Sequence, residues 1–282
     1  MIQEEPGDEA AAKRVLEAGA ELTGGVSGAV VGLLIGGPAG AVGGAIAGPA
    51  LVSGLKEVAR RYLSHREEAR IGGAYLAAAS GVQERLEAGQ EVRSDGFFTS
   101  DNGDRSDGEE IIEGVLLAAQ REHQERKVQY LGYLLANVSF ESTINAYLAN
   151  WAIETARELT WAQLVLLSAV GRKDGPRLPD IEIGVGASSW NSWGIHRQLA
   201  NLGYAQREMI HGKSRKTERL GLTKINLSLT EQELSTAGDL IFGLMWLDRI
   251  PVEDVRGVLA SLEQADPKEA EALEDEAALD SD

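Results

Sequence analysis

Hydrophobic and polar positions follow three different patterns along this chain. The first is a long stretch without charge: Leu22 to Leu55 is wholly uncharged, between Glu21 and Lys56. Within it Gly24, Gly28, Gly32, Gly36, Gly40, Gly44 and Gly48 recur at every fourth residue. Glycine inside a solvated helix costs about 1 kcal/mol relative to alanine, so seven in register need a reason. Small residues at i and i+4 form a smooth stripe that lets two helix backbones approach closely, as in paired membrane helices. The spacing therefore assigns these seven glycines to a membrane or oligomerisation contact. Pro38, directly after Gly36 and Gly37, predicts a hairpin or a kinked helix. Each half would measure about 25 Å as helix, short of a hydrocarbon core of about 30 Å. From Gly24 to Leu55 only 11 of 32 residues are Val, Leu or Ile, against 11 Gly and 6 Ala, so insertion would be marginal.

The second pattern is helical. Glu9–Glu21 reads as a short helix within a polar segment, 1–21. After the glycine stretch, 56–70 carries five Lys or Arg against three Glu. Basic residues just past an apolar segment tend to stay cytoplasmic; otherwise they are a helix with balanced charge. Ile71–Val92 continues as helix, with Ala74, Leu76, Ala77, Val82 and Leu86 apolar. A Ser/Asp/Asn/Gly loop follows. Its Asn102, Asp104, Ser106 and Glu113 sit at calcium-loop offsets, but Asp107 stands where that loop needs glycine. The residues serve better as a helix start, with Asp107 and Glu110 as a capping box. The next helix runs from Glu109 to Val138, apolar at Ile111, Val115, Ala118, Ala119, Val128, Leu131, Leu134 and Leu135. Its charged middle, Gln120–Lys127, is expected to face solvent or form an ion-pair lattice. Ser142–Glu158 makes another amphipathic helix, and Thr160 with Gln163 caps a third. Trp151 and Trp161 are expected in the core.

From Gly171 the pattern is mixed. A short strand is expected at Ile181–Ile183, a helix at Trp190–Leu202 and strands at Tyr204–Ile210 and Leu220–Leu229. Thr230 with Glu233 should start the next helix, and Pro251 a last one over Val252–Glu263. That order is that of a winged-helix unit. The fold class is thus mainly α: an N-terminal glycine-zipper hairpin or kinked helix, a helical body and a winged-helix-like C-terminal unit with a small β-hairpin. The corresponding segments are 1–21, 22–55, 56–158, 159–263 and a disordered acidic tail, 264–282.

Charge refines this picture. The net charge is −17, which argues against generic nucleic-acid binding. Locally the sign reverses: Arg197, Arg207, Lys213, Arg215, Lys216, Arg219 and Lys224 face only Glu208 and Glu218. A basic wing can contact phosphates, or it can hold a protein partner or the acidic tail. Arg197, Arg207, Lys213, Arg215, Lys216 and Arg219 are the candidate partner-binding residues, with Asn191, Gln198 and Asn201 beside them on the helix that would read bases.

No catalytic constellation stands out. There is no cysteine, so disulfide and thiolate chemistry are excluded. His65, His123, His196 and His211 have no metal-ligand spacing. No Gly-x-x-x-x-Gly-Lys-Ser/Thr loop occurs. The expectation is a non-enzyme with no cofactor and no metal. The acidic N-terminus lacks the basic start of a secretory signal. The expected location is the cytoplasmic face of the inner membrane, or the cytoplasm until a trigger arrives.

The segments LLANVSF, ELTWAQLVLLSAV, QLANLGY and INLSLTEQELSTAGDLIFGLM occur in that order. Their matching elements are Leu134–Ala136, Leu159–Val170, Leu199–Gly203 and Leu229–Leu244. Together, over about residues 110–248, they resemble the Abi-alpha family of abortive-infection proteins. The resemblance implies a helical bacterial protein of phage defence or growth arrest, with no catalytic residues to carry over. Two functions are then in play. One is a membrane-associated, homo-oligomerising effector or sensor acting through the zipper, with a protein partner. The alternative is a soluble winged-helix nucleic-acid-binding or adaptor protein, or a structural subunit that uses the zipper for packing.

Overall fold

The computed structural model describes residues 6–22, 44–61, 63–99, 105–172, 180–184, 209–219 and 222–263. The fold is mainly helical, with nine α-helices among the described residues. They are α1 (Pro6–Leu22), α2 (Gly44–Ala59), α3 (His65–Glu87), α4 (Asp107–Arg121), α5 (Val128–Val138), α6 (Ala146–Glu158), α7 (Trp161–Gly171), α8 (Thr236–Leu244) and α9 (Val252–Glu263). Strands β1 (Asp180–Gly184), β2 (Ile210–Arg219) and β3 (Leu222–Leu234) form one antiparallel sheet in the order β1-β3-β2. The chain divides into two units, Met1–Trp161 with Leu244–Trp246, and Ala162–Gly243 with Leu247–Asp282.

The first unit is built around α3. Its run from Ile71 to Ala79 is buried on every side, as an all-round small and apolar helix requires. Small residues let its neighbours come close. A Cβ on Gly19 of α1 would clash with the backbone of Gly72 and Gly73, and one on Gly132 of α5 with the Ala74 carbonyl. Arg14 of α1 fastens the same crossing by donating from Nε to the buried Glu68 carboxylate at 2.7 Å.

These contacts set the direction of each helix. Arg14 meets Glu68 and Gly19 meets Gly72, so α1 ascends with α3. Gln120 at the end of α4 bonds Glu67 and Arg70 at the start of α3, so α4 descends. Gly132 meets Ala74 and Ala77, and Arg85 meets Asn137, so α5 ascends. Asn150 bonds Glu110 at 2.9 Å and Ile153 faces Gly114, so α6 descends beside α4. Arg60 and Arg61 still hydrogen-bond back to Lys56 and Val58. The remaining link to α3 reaches about 14 Å at most, so the end of α2 lies near the start of α3, while its Gly54 faces Ile112 and the following Arg61 reaches Glu113, both in the first half of α4.

Several expected boundaries differ. The helix cap before α4 is Ser106 with Glu109, not Asp107 with Glu110: each side chain bonds the other residue's backbone N–H. A second capping box, Ser64 with Glu67, starts α3 and divides the basic stretch. The expected helix from 109 to 138 is broken, with α4 ending at Arg121 and a 3-10 turn over Glu125–Lys127 leading into α5. The helix expected from Ser142 begins at Ala146, capped by Asn145 Oδ1, which accepts from Leu148 N at 2.9 Å. Trp151 is not a core residue; it is exposed.

In the second unit, β3 runs on through Leu234, so Thr230 and Glu233 lie in a strand and do not cap a helix. Ser235 takes that role. Its Oγ accepts from Gly238 N at 3.1 Å, and its own N–H donates to the Met209 carbonyl at 2.9 Å. The basic residues Lys213, Arg215, Lys216 and Arg219 belong to β2, which pairs with β3 from Arg219↔Leu222 onward. They do not form a loop between strands. Ser168 Oγ donates to the Leu247 carbonyl at 2.6 Å, and Arg172 donates to the carbonyls of Asp248 and Ile250, joining α7 to the turn before α9. The helix expected at Trp190–Leu202 lies outside the described residues.

Candidate functional site

The glycine stretch divides between described and undescribed residues. Gly24, Gly28, Gly32, Gly36 and Gly40 lie outside the described residues, while Gly44 and Gly48 fall in the first turns of α2. From Ala50 the stretch is ordinary protein core. Ala50, Leu51 and Leu55 are buried, and α2 packs on α4 and α1. A Cβ on Gly54 would collide with the Ile112 side chain. Helix α2 runs on through Lys56 to Ala59, with Val58 and Ala59 also buried. No helix among the described residues is long and apolar enough to cross a membrane.

The basic stretch that follows is tied up internally. Arg61 and Arg105 both bond the Glu113 carboxylate, the latter at 2.5 Å. Burial pushes the Glu113 carboxyl up, but the hydrogen bonds from Arg105 and Arg61 outweigh it and hold the group below its usual value. Arg66 and Arg70 approach Glu125 at 3.4 and 3.6 Å, and Arg60 approaches Glu57 at 3.5 Å. These arginines are matched by carboxylates of the same unit, which accords with the balanced-charge reading of this stretch.

The break between α4 and α5 holds a polar cluster that the periodicity did not reveal. Lys127 and Glu122 are buried, with Nζ 2.5 Å from Oε2. Lys127 Nζ also donates to the Arg157 carbonyl at 3.2 Å, and Glu122 Oε1 accepts from Gln124 N at 2.8 Å. Gln124 Oε1 in turn accepts from Trp161 N at 2.8 Å. Burial pushes the Lys127 ammonium below the ordinary lysine value, while the hydrogen bond and charge of Glu122 pull it back. The cluster ties the break in the helix to the end of α6 and to Trp161. Its density of charged residues, EHQERK, was visible in the sequence, but not that one pair faces inward.

A second knot surrounds Arg93. Its buried guanidinium bonds Asp95 through Nε at 2.9 Å and Nη2 at 2.5 Å, and donates to the Ile144 carbonyl at 2.7 Å. The hydrogen bond from Arg93 holds the Asp95 carboxyl below its usual value despite some burial. Arg93 also stacks over the Phe97 ring, 3.9 Å from its centroid. The residue pins the connection between α3 and α4 to the one between α5 and α6.

Of the candidate partner-binding residues, Lys213, Arg215, Lys216 and Arg219 lie together on β2, while Arg197 and Arg207 lie outside the described residues. His123 is exposed, as expected of a surface residue. Among the described residues no group of three His, Asp or Glu side chains could hold a metal ion. The exposed large hydrophobic side chains among the described residues are Tyr147 and Trp151, neighbours one turn apart on α6. By contrast, Trp161 lies 5.6 Å from the Tyr130 ring and Trp246 lies 5.3 Å from the Tyr133 ring. No family model, no curated protein and no solved structure matches the chain.

Proposed function

We propose that this chain is a non-enzymatic, membrane-associated helical protein that assembles through the uncharged residues between α1 and α2. One observation carries the reading furthest. Leu22 and Gly44 both belong to helices that pack within one folded unit. The 21 residues between them are uncharged and hold five of the seven period-four glycines. As two helical arms they would reach about 15 Å each, half of a hydrocarbon core of about 30 Å. That length favours a shallow re-entrant insertion, or glycine-faced packing between copies, over a crossing. The resemblance to abortive-infection proteins supports a role in phage defence, with the helical body as sensor.

The test is the assembly state of the full chain, alone and with lipid vesicles, beside Gly32→Leu and Gly40→Leu. Both substitutions should abolish the vesicle-dependent assembly and leave the helical content unchanged. Assembly equal to that of the original chain would refute the reading.

A second reading rests on the sheet. The order β1-β3-β2, with a basic β2, is compatible with a winged-helix unit. It supports a nucleic-acid-binding or adaptor unit. Salt-sensitive DNA or RNA binding that is lost when Lys213, Arg215 and Lys216 become Glu would support it; no binding at low salt would remove it.

A further inference from the structure

We propose that Leu244–Trp246 is a strained latch, a strap clipped into the first unit that can leave it without unfolding it. The first unit consists of Met1–Trp161 and these three residues, and Gly243 and Leu247 on either side belong to the second. A tryptophan thus ends each of its two stretches. Both stack along α5 in one row of rings, Trp161, Tyr130, Tyr133 and Trp246, with centroids 5.6, 5.9 and 5.3 Å apart in turn.

The two anchors differ in kind. Trp161 begins α7, and Gln124 Oε1 holds its backbone N–H at 2.8 Å. Trp246 has φ at 48°, the one positive value outside glycine among the described residues. In that left-handed region a bulky side chain crowds the following carbonyl oxygen. Such strain persists where neighbours over-determine the conformation, and it gathers at switches. The neighbours here are specific. Leu244 and Met245 are buried, and the Leu244 carbonyl accepts from Asn137 Nδ2 at 3.0 Å. Gly81 of α3 makes room for the ring: a Cβ there would lie 3.1 Å from Trp246 Cζ3 and 2.7 Å from the Ala136 Cβ. Release strands no polar group. Asn137 keeps the Tyr133 carbonyl and Arg85, while the Leu244 carbonyl, at the end of α8, can turn to water. The Trp246 backbone relaxes at the same time. Helices α3 and α5 stay joined where Gly132 meets Ala74 and Ala77. What opens between them is an apolar slot walled by Gly81, Tyr133 and Ala136.

The latch stands apart from the glycine-segment reading, because none of its residues lies between α1 and α2. The experiment is thiol labelling of the full chain, which has no cysteine of its own. Met245→Cys places a buried thiol in the latch, and Ala78→Cys places one in α3. Reaction with a maleimide probe should be at least about tenfold faster for Met245→Cys, and should respond less to low urea, because a local opening exposes less surface than global unfolding. Equal rates with equal urea dependence would mean that the segment opens only with the whole unit, and would overturn the proposal. Labelling as fast as at the exposed position Lys13→Cys would mean that nothing is latched, and would overturn it too. The strain is read in the same Met245→Cys background. Trp246→Gly and Trp246→Ala both remove the ring, but glycine accepts the left-handed backbone. Labelling should therefore be about fivefold slower with glycine than with alanine. The same rate in both, or a slower rate with alanine, contradicts a strained latch.

Discussion

Gly19 and Gly72 meet backbone to backbone: a Cβ on Gly72 would lie 2.9 Å from the Gly19 Cα and would also collide with the Val15 carbonyl. No rotamer can relieve that overlap, because the obstacle is main chain. Gly72→Ala should therefore push α1 off α3 and destabilise the protein by about 1–3 kcal/mol, the usual cost of overpacking. Gly257 of α9 is the opposite case. A Cβ there meets nothing within 4 Å, and Gly257→Ala should stabilise by up to about 1 kcal/mol through helix propensity. Urea denaturation of the two variants should move the midpoint in opposite directions.

The Glu122–Lys127 pair makes a prediction about partners. Lys127→Met leaves the Glu122 carboxylate buried without its cation, which should cost about 3–5 kcal/mol. Adding Glu122→Gln removes the stranded charge and keeps the acceptor for Gln124 N. The double variant should recover most of the loss. A double-mutant cycle by chemical denaturation measures it, and additive losses would mean that the two groups do not act as a pair.

Glu67 sets a pH dependence. Hydrogen bonds from the Ser64 side chain and backbone, then from Gln120, lower its carboxyl from the ordinary 4.5 to about 2. The folded state thus binds this proton less tightly than the unfolded chain. The group's stabilising contribution is complete above about pH 4.5 and is lost as pH falls towards about 2. Glu67→Gln should flatten that part of the stability profile and leave its slope near neutral pH unchanged. The unfolding midpoint against pH, for both proteins, is the measurement.

Much of the helical body was legible because apolar spacing and burial agree. Ile111, Val115, Leu131 and Leu135 were read from period alone and are buried, and Pro251 marks the start of α9. The misreadings share a physical cause, namely that local signals compete. Ser106 and Asp107 are both good caps, and which one is used depends on Phe97, whose carbonyl accepts from Gly108 N at 2.7 Å. Thr230 and Glu233 spell a capping box, yet pairing with β2 extends β3 past both. Trp151 has the composition of a core residue, but its position on α6 faces away from α4, and only the packing of α6 decides that. The break at Glu122–Gln124 was hidden because a run of charged residues reads as a solvated helix whether or not one ion pair turns inward. For the glycine stretch, spacing alone raised the contact. That Leu22 and Gly44 sit on one folded unit comes from contacts such as Arg14–Glu68 that are distant in sequence.

The account's central claim is that the two ends of the uncharged segment stay on one side, because the helices that flank it pack within one folded unit. The chain has no cysteine, so single cysteines can report it directly. Lys13→Cys on α1 and Glu57→Cys on α2 replace exposed residues on either side of the segment. Each variant would be expressed, its membranes washed at high pH to test retention, and sealed vesicles treated with a membrane-impermeant maleimide. The account predicts retention in the washed pellet and the same labelling for both positions. Labelling from opposite faces, or a protein wholly released by the wash, would contradict it.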